Sequence, residues 1–320
     1  EKALGFRVQL YGMNKHYKMF TPRQLTTMVT FSDLVKDVRP DVLADARKAG
    51  ISDAEADVYA KTITTFLALA LDRCADFNNA LCTWNSSNQK VMHLFGRQAI
   101  PMVWDFAEVN PIAGAAGDFS VSLEGGVRFL NLASTAVPGS VAQFDAAQQN
   151  ISTGKVVSTD PPYYDNIGYA DLADFFYVWL KRTVGDSYPG WYAAPLADKD
   201  DEAIANDARF AMLGAKKKKQ LADTDYEKKM QACFAEMHRV LDDRGVLTVM
   251  FTHREVAAWD TLGSALIEAG FKVDSSWPVH TESEHSTHQA KKNAAASTIM
   301  LTCRKREKAL QSVWWEDLKG

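Results

Sequence analysis

The residues with the clearest chemical potential are four in a row, Asp160-Pro161-Pro162-Tyr163. Asp160 offers a carboxylate, and Pro161 offers a carbonyl oxygen but has no N–H. Pro162 stiffens the turn, and Tyr163 adds a flat aromatic ring. Two hydrogen-bond acceptors beside an aromatic face suit a planar base with an exocyclic amino group. The alternative is that these residues form only a turn.

The neighbouring sequence favours a ligand site over a plain turn. Residues 155–159 are a β-branched run that predicts a strand, and the two prolines end it. Apolar residues between Leu172 and Leu180 then recur at helical spacing. In open α/β sheets ligands bind beyond the carboxyl ends of strands, where the four residues are placed.

The rest of this part of the chain reads as an α/β sheet. Residues 226–241 are predicted to form a helix, and residues 246–251 form the most convincing buried strand. A further helix ends at Gly270, a typical C-cap residue. Residues 271–279 and 297–303 are predicted to be two strands, joined by a polar loop, that pair antiparallel.

The N-terminal part is predicted to be mainly helical. Thr21 can cap a helix, Pro22 suits its first turn, and Gln24 can complete a capping box. A second helix is predicted to place one apolar face inward, formed by Tyr59, Ile63, Phe66, Leu67, Ala70 and Cys74. Residues 104–140 are rich in Gly and Pro and predict connecting structure with one or two short elements.

These patterns predict two regions. Residues 1–140 are the mainly helical region, and residues 141–320 are the α/β region, with a polar, irregular insertion at about 185–225. A chain of 320 residues, 47% hydrophobic and 24% charged, is globular in composition, which excludes disorder and a coiled-coil rod. The net charge is −4, so any nucleic-acid contact must come from a local basic patch.

The same composition predicts a cytoplasmic protein that does not enter a membrane. No apolar run approaches the ~18–20 residues of a membrane span, and no signal peptide is recognisable. The four cysteines form no C-x-x-C pair, so reduced and mostly buried thiols are expected rather than disulfides or a zinc ribbon.

Residues 157–169 resemble motif IV of the amino-group DNA methyltransferases that use S-adenosylmethionine. The continuation through residue 180 is more specific and resembles the large adenine-specific DNA methylases of the DUF1156 group, some of which occur in anti-phage systems. Further segments similar to that group are residues 20–25, 95–99, 101–108 and 277–279.

The resemblance implies methyl transfer to N6 of an adenine in DNA, flipped out of the duplex. It assigns the catalytic roles to Asp160, Pro161, Pro162 and Tyr163, in restriction–modification or phage defence. The implied fold is the later strands of a Rossmann-like methyltransferase sheet beside a helical N-terminal region. No metal is expected.

The resemblance also suggests residues near the cofactor. Asp145 matches the place of an acidic residue close to the cofactor adenine, and Phe20, Thr21 and Pro22 resemble the cofactor-flanking motif X. For Asp145 an ordinary turn is the alternative, and for Thr21 and Pro22 helix capping is a sufficient explanation.

A Gly-rich loop for the methionine part of the cofactor is missing. Residues 114–117 and 124–126 are the only glycine clusters, and neither follows a clear strand. Because the sequence begins at Glu1, we expect a preceding segment or a separate chain to carry this loop. The chain by itself is then expected to bind S-adenosylmethionine weakly or not at all.

DNA contacts are predicted at two places. Lys216, Lys217, Lys218 and Lys219 can lie along a phosphate backbone, although a solvated loop is the alternative. His253 and Arg254 follow the most convincing strand and are predicted to lie at the sheet edge where ligands bind. The alternative is that they are ordinary polar residues at the start of a helix. The histidines of residues 280–288 match no standard zinc spacing, so a DNA-facing loop is favoured over a metal site there.

Two other functions compete with DNA methylation. An RNA base methyltransferase needs the same acceptors for an amino group, and only the resemblance favours DNA. A non-catalytic DNA-binding subunit of a larger complex is the other alternative, although Asp160 to Tyr163 are all intact.

Overall fold

The computed structural model of the protein describes residues 7–132, 139–165, 167–253, 255–279 and 298–306. The chain divides into two units. The N-terminal unit comprises residues 1–140 and 168–202, and the C-terminal unit comprises residues 141–167 and 203–320. The predicted boundary near residue 140 coincides with one of these division points. The segment 168–202 is predicted to be part of the α/β region, but the structure assigns it to the N-terminal unit.

The N-terminal unit is built mainly from α-helices. Its elements are two 3₁₀ helices, Val8–Tyr11 and His16–Met19, then α1 (Pro22–Asp37), α2 (Arg39–Lys48), α3 (Asp53–Phe77), the hairpin β1 (Thr83–Asn85) and β2 (Lys90–Met92), α4 (Phe119–Leu132), α5 (Tyr169–Val184) and the 3₁₀ helix Gly185–Ser187. The core lies where α1, α3 and α5 pack together around Met28, Leu71, Cys74 and Phe175.

The predicted inward face of α3 is partly wrong. Ala70 and Cys74 are buried as expected, but Tyr59 is 47% exposed. The buried face instead follows small side chains four residues apart, Ala56, Ala60, Thr64 and Ala68. Small residues bring neighbouring helices close, and α3 has α1, α2, α4 and α5 around it. The large side chain of Tyr59 therefore lies outside this contact, whereas Leu71 is buried in the core.

The predicted apolar stripe after residue 170 is confirmed as the buried face of α5. Phe175 and Trp179 are buried, and Leu172 and Phe176 pack beside them. The glycine-rich stretch contains one full helix, α4, which is longer than the short elements predicted. Gly125 and Gly126 lie inside α4, and Gly114 and Gly117 lie in the turn before it. Neither cluster follows a strand directly.

The C-terminal unit is a four-stranded mixed sheet with helices. Its elements are β3 (Val157–Thr159), a 3₁₀ helix Asp207–Leu213, α6 (Ala215–Val240), β4 (Leu247–Phe251), α7 (Val256–Glu268), β5 (Phe271–Val279) and β6 (Thr298–Lys305). The strand order is β3-β4-β6-β5, with β3 and β4 parallel and β6 antiparallel to both β4 and β5. The mixed α/β class and the antiparallel last pair are thus confirmed.

The sheet has one face in the core. Leu247, Val249 and Phe251 alternate inward along β4 and are fully buried. Tyr226, Met230 and Phe234 of α6, together with Leu262 and Leu266 of α7, belong to the same cluster. On the opposite face of β4, Thr248 and Met250 remain half-buried. Gly270 follows α7 with φ of +92°, the left-handed conformation expected beyond a helix C-terminus.

The prediction that residues 185–225 are irregular is wrong for their last part. Helix α6 begins at Ala215, so the lysine run occupies its first turns rather than a loop. Four adjacent lysines carry no apolar periodicity, so the sequence pattern does not indicate a helix there. Helical order there comes from the buried side chains that follow, such as Ala222 and Tyr226.

All four cysteines are free thiols, and three of them, Cys74, Cys82 and Cys303, are buried, as predicted. Burial raises the pKa of Cys74 and of Cys82 to about 12 and that of Cys303 to about 11. Across the described ranges, none of the helices combines the length and the apolar character that crossing a membrane requires.

Candidate functional site

The candidate site is the strand-end loop, residues 160–165, which follows β3 directly. Val157, Ser158 and Thr159 lie opposite Leu247, Thr248 and Val249 of the parallel strand β4. Because parallel strands end at the same edge of a sheet, the strand-end loop and His253 beyond β4 share that edge. The sequence placed Asp160 and His253 there, and the register confirms this placement.

The first half of the strand-end loop leaves its carboxylate accessible. Asp160 is exposed, while Pro161 is buried and Tyr163 is half-buried. The Tyr163 hydroxyl donates a hydrogen bond of 2.6 Å to Asp160 Oδ1. The Tyr163 ring meets Phe251, the last residue of β4, at a centroid distance of 5.4 Å and an interplanar angle of 79°. The carboxylate and the aromatic ring thus form one cluster at the sheet edge.

The second half of the strand-end loop is strained and firmly held. Tyr164 has φ of +58°, a left-handed conformation that is uncommon for a large side chain. Its hydroxyl donates to Asp223 Oδ1 at 2.6 Å, and its carbonyl accepts from Ala205 N–H at 3.0 Å. Such strain persists only where the surroundings over-determine it, and it is concentrated at functional sites.

Helix α6 supplies a second anchor. The Tyr226 hydroxyl donates to the Pro162 carbonyl at 2.8 Å, and its ring packs edge-on against Tyr164 at 5.2 Å. Burial raises the pKa of Tyr226 to about 12, so this hydroxyl keeps its proton at neutral pH. Burial and the hydrogen bond to Asp223 also raise the pKa of Tyr164. The double-proline turn is therefore fixed from one side by neutral tyrosines.

His253 faces the end of the strand-end loop. Its Nδ1 accepts a hydrogen bond from Glu255 N–H at 3.1 Å, which leaves Nε2 as the proton-bearing nitrogen. Nε2 lies 3.4 Å from Asp165 Oδ1, and the His253 side chain is only 5% exposed. Trp259 Nε1 donates to the His253 carbonyl at 3.0 Å and fixes its backbone. His253 thus holds Asp165, while Arg254 lies outside the described residues.

Asp145, a predicted cofactor residue, lies in the C-terminal unit in a turn of its own. Its Oδ1 accepts from Ala147 N–H at 2.9 Å, and its Oδ2 accepts from Gln148 Nε2 at 3.1 Å. Both carboxylate oxygens therefore have partners within three residues. These contacts match the turn alternative, and they do not test a contact with cofactor.

Phe20, Thr21 and Pro22 lie in the N-terminal unit. Thr21 is the N-cap of α1, with Gln24 N–H donating to its Oγ1 and its own N–H donating to Gln24 Oε1. Pro22 occupies the first helical turn. Phe20 stacks on Phe175 at 5.8 Å and meets Trp179 edge-on at 5.5 Å. Helix capping and core packing thus account for the contacts of all three.

The lysine run presents exposed cations on α6. Lys217 and Lys219 are exposed, and Lys218 forms an ion pair of 2.6 Å with Asp207. The side chain of Lys216 and the histidine-containing residues 280–288 lie outside the description. In the described ranges, no group of three or more His, Cys, Asp or Glu side chains is arranged to hold a metal ion.

Sequence reasoning missed the residues that fix the strand-end loop. Tyr164 gave no signal, because a left-handed backbone is indicated in a sequence only by Gly, Asn or Asp. Tyr226 begins the helix predicted for residues 226–241, but its hydroxyl partner follows from tertiary structure alone. Asp223 and Ala205 lie in the stretch predicted to be irregular.

The acceptor side of the site is therefore an exposed carboxylate beside an aromatic ring, on a strained turn anchored by α6.

Comparison of the chain with protein-family models, with curated proteins and with solved structures gives no significant match.

Proposed function

We propose that this chain is the substrate-holding part of an S-adenosylmethionine-dependent methyltransferase that acts on N6 of a flipped adenine in DNA. The observation that carries the proposal is the exposed Asp160 carboxylate at the carboxyl end of β3, next to the Tyr163 ring. The resemblance of residues 157–180 to adenine-specific DNA methylases supports the same assignment.

The roles of the chain's own residues follow from what an amino group needs. Asp160 and the Pro161 carbonyl accept the two N–H bonds, which directs the nitrogen lone pair away from both acceptors. Tyr163 stacks on the base plane. Catalysis by these residues is positioning, because the nitrogen must be aligned with the incoming methyl carbon. S-adenosylmethionine, when bound, supplies that methyl group in an activated form on its sulfonium.

The anchored turn suits a positioning role. Tyr226 engages the Pro162 carbonyl, and Asp223 and Ala205 hold Tyr164 in its left-handed conformation. A loop fixed in this way loses little conformational entropy when a base enters. Asp165, held by His253, places a second carboxylate on the same loop.

The donor side of the reaction is assigned to another segment. Among the described residues, no Gly-rich turn follows a strand, and the contacts of Thr21 and Asp145 lie within their own cap and turn. We therefore assign the cofactor loop to a segment other than the described residues. In the proposal, a preceding segment or a separate chain carries the Gly-rich loop and completes a Rossmann-like sheet.

The edge of the sheet supports this division. Among the described strands, β3 lies at one edge of the order β3-β4-β6-β5, and Val156 beside it is 75% exposed. An open strand edge can pair with an added strand. Since ligands bind where strand order reverses, a strand added beside β3 would place its own loop next to Asp160.

DNA is the proposed macromolecular substrate. An adenine amino group inside a duplex cannot reach the sulfonium, so the base must be flipped. Exposed Lys217 and Lys219 at the start of α6 are proposed to contact phosphates, which predicts salt-dependent binding. Modification of cytoplasmic DNA, in restriction–modification or phage defence, is the proposed biological setting.

The test is methyl transfer by the native protein in which this chain occurs, purified with its associated polypeptides. Duplex DNA and RNA of mixed sequence are supplied in parallel with labelled S-adenosylmethionine, and products are identified by nucleoside mass spectrometry. We expect N6-methyladenine in DNA. Product in RNA alone would favour the RNA methyltransferase, and DNA binding without any product would favour a non-catalytic subunit.

The residue test is Asp160→Ala against Asp260→Ala. Asp260 is an exposed aspartate on α7 and serves as the matched control. We expect the Asp160 variant to lose at least about a hundredfold in rate while its DNA binding persists, because it loses a positioned acceptor. Unchanged transfer by the Asp160 variant would contradict the proposed role.

A further inference from the structure

The contact between Tyr163 and Asp160 occupies one acceptor position of the carboxylate that the proposed function requires, on Oδ1. The hydroxyl-to-carboxylate distance is 2.6 Å, in the range of short, charge-assisted hydrogen bonds. The two residues are separated only by two prolines, whose fixed φ angles keep them adjacent. An N–H directed at this position of Asp160 Oδ1 therefore competes with the Tyr163 hydroxyl.

We propose that the Tyr163 hydroxyl is a placeholder for the substrate amino group, which displaces it from Asp160 when the base enters. This inference rests on the proposed function and adds a second role to Tyr163. Before substrate binds, the hydroxyl keeps the exposed Asp160 carboxylate oriented toward the base-stacking ring. On binding, one hydrogen bond to Oδ1 is exchanged for another.

The bases that Asp160 can bind follow from this exchange, and the Tyr163 hydroxyl lowers the preference for an amino group because it competes for the same oxygen. A base with an amino group donates an N–H to Asp160, and this hydrogen bond replaces the one from the displaced hydroxyl. A base with a carbonyl at that position brings an oxygen toward a carboxylate and returns nothing. Bases with an exocyclic amino group at the reacting position are thus accepted, and those with a carbonyl there are rejected.

The surroundings of Tyr163 allow the exchange without moving the backbone. Its ring lies edge-on to Phe251, which is fully buried at the end of β4. The carbonyl of Pro162 and the backbone of Tyr164 are held separately by Tyr226 and Ala205. The carbonyl of Pro162 and the backbone of Tyr164 therefore keep these partners when the Tyr163 hydroxyl moves.

The test is steady-state methyl transfer to DNA by the native protein, comparing wild type with Tyr163→Phe. The variant keeps the ring and removes the competing hydroxyl. We expect KM for DNA to fall about threefold to tenfold, because water replaces part of the lost bond to a charged group. Tyr177→Phe is the control, since it removes a hydroxyl that binds the Ala194 carbonyl in the other unit.

A second measurement isolates the amino group. Binding of single-stranded oligonucleotides of deoxyadenosine is compared with binding of the same oligonucleotides of purine deoxyriboside, which lacks the amino group. We expect Tyr163→Phe to increase the preference for deoxyadenosine by the same factor by which KM falls. Thermal melting checks that both variants are folded.

The outcomes separate this inference from the proposed function. If the wild-type protein shows no methyl transfer, both the proposed function and the placeholder role of Tyr163 are contradicted. Normal transfer by wild type, with the same KM and the same base preference in Tyr163→Phe, overturns the placeholder alone. A raised KM in Tyr163→Phe also overturns it, since the hydroxyl would then assist binding rather than compete with it.

Discussion

A methyltransferase motif is predicted both within residues 20–25 and within residues 157–169, yet the two segments have different contacts. In the first segment, Thr21 and Gln24 satisfy one another in a capping box, and Phe20 packs in the core. In the second, Asp160 stays exposed, and Tyr164 is held at φ of +58° by partners distant in sequence. The polar groups of Thr21 and Gln24 in the first segment pair within that segment, whereas the second segment is held by partners elsewhere in its unit.

This difference teaches how to weigh a motif. A segment whose polar groups are used by local structure needs no ligand to explain its residues. A segment that keeps an accessible acceptor on a strained backbone needs another explanation, because the strain has a cost. The candidate site rests on the second kind of segment.

The largest expected effect is on the support of the strand-end loop. Tyr226→Ala removes a buried aromatic ring and is expected to destabilise the C-terminal unit by about 3–5 kcal/mol. Tyr226→Phe removes only the hydroxyl that donates to Pro162 and should cost about 1–3 kcal/mol. Hydrogen exchange with mass spectrometry measures each unit separately. Equal losses in the two variants would show that the ring is not packed as described.

The next effect is a pH dependence of the N-terminal unit. Burial raises the pKa of Asp72 to about 8, so the folded state holds a proton that the unfolded state releases near pH 4. The contribution of Asp72 to stability is then greatest below pH 4 and falls as pH rises toward 8, by about 1.4 kcal/mol per pH unit. Between pH 5 and pH 7, Asp72 is expected to lower the free energy of unfolding by about 2–3 kcal/mol, and Asp72→Asn is expected to abolish this decrease.

The control for Asp72 is a second buried aspartate of the same unit. Asp174 forms an ion pair of 2.7 Å with Lys199 and accepts from Ala197 N–H. Asp174→Asn should therefore lower stability, whereas Asp72→Asn should raise it at pH 7. Urea unfolding at pH 5 and pH 7 measures both. A wild-type stability that does not change between these pH values would contradict the prediction for Asp72.

The smallest effect concerns the cap of α1. Thr21→Ala is expected to cost about 1 kcal/mol, and Thr21→Ser should retain most of the stability because it keeps the hydroxyl. Hydrogen exchange in the first turn of α1 reports the change. An unaffected first turn in Thr21→Ala would show that the cap does not stabilise α1, and would weaken the contrast with the strand-end loop. KM for S-adenosylmethionine in the same variants tests the predicted cofactor contact.

Much of the fold was predictable because the spacing of apolar residues agreed with the residues that begin and end helices and strands. The Thr21 cap, the apolar stripe of α5 and the buried strand β4 are all confirmed. Predictions failed where side-chain size or charge concealed the pattern. The inward face of α3 follows small residues, and the first turns of α6 are lysines.

The sequence by itself determined the chemistry of Asp160 to Tyr163 and their place after a strand, since prolines and β-branched residues act locally. Only the tertiary structure decided the rest. It brought Asp223 and Tyr226 to the strand-end loop, paired Tyr163 with Asp160, and gave residues 168–202 to the other unit. The physical reason is that these contacts join residues across turns and helices, where packing rather than local backbone preference selects the partner.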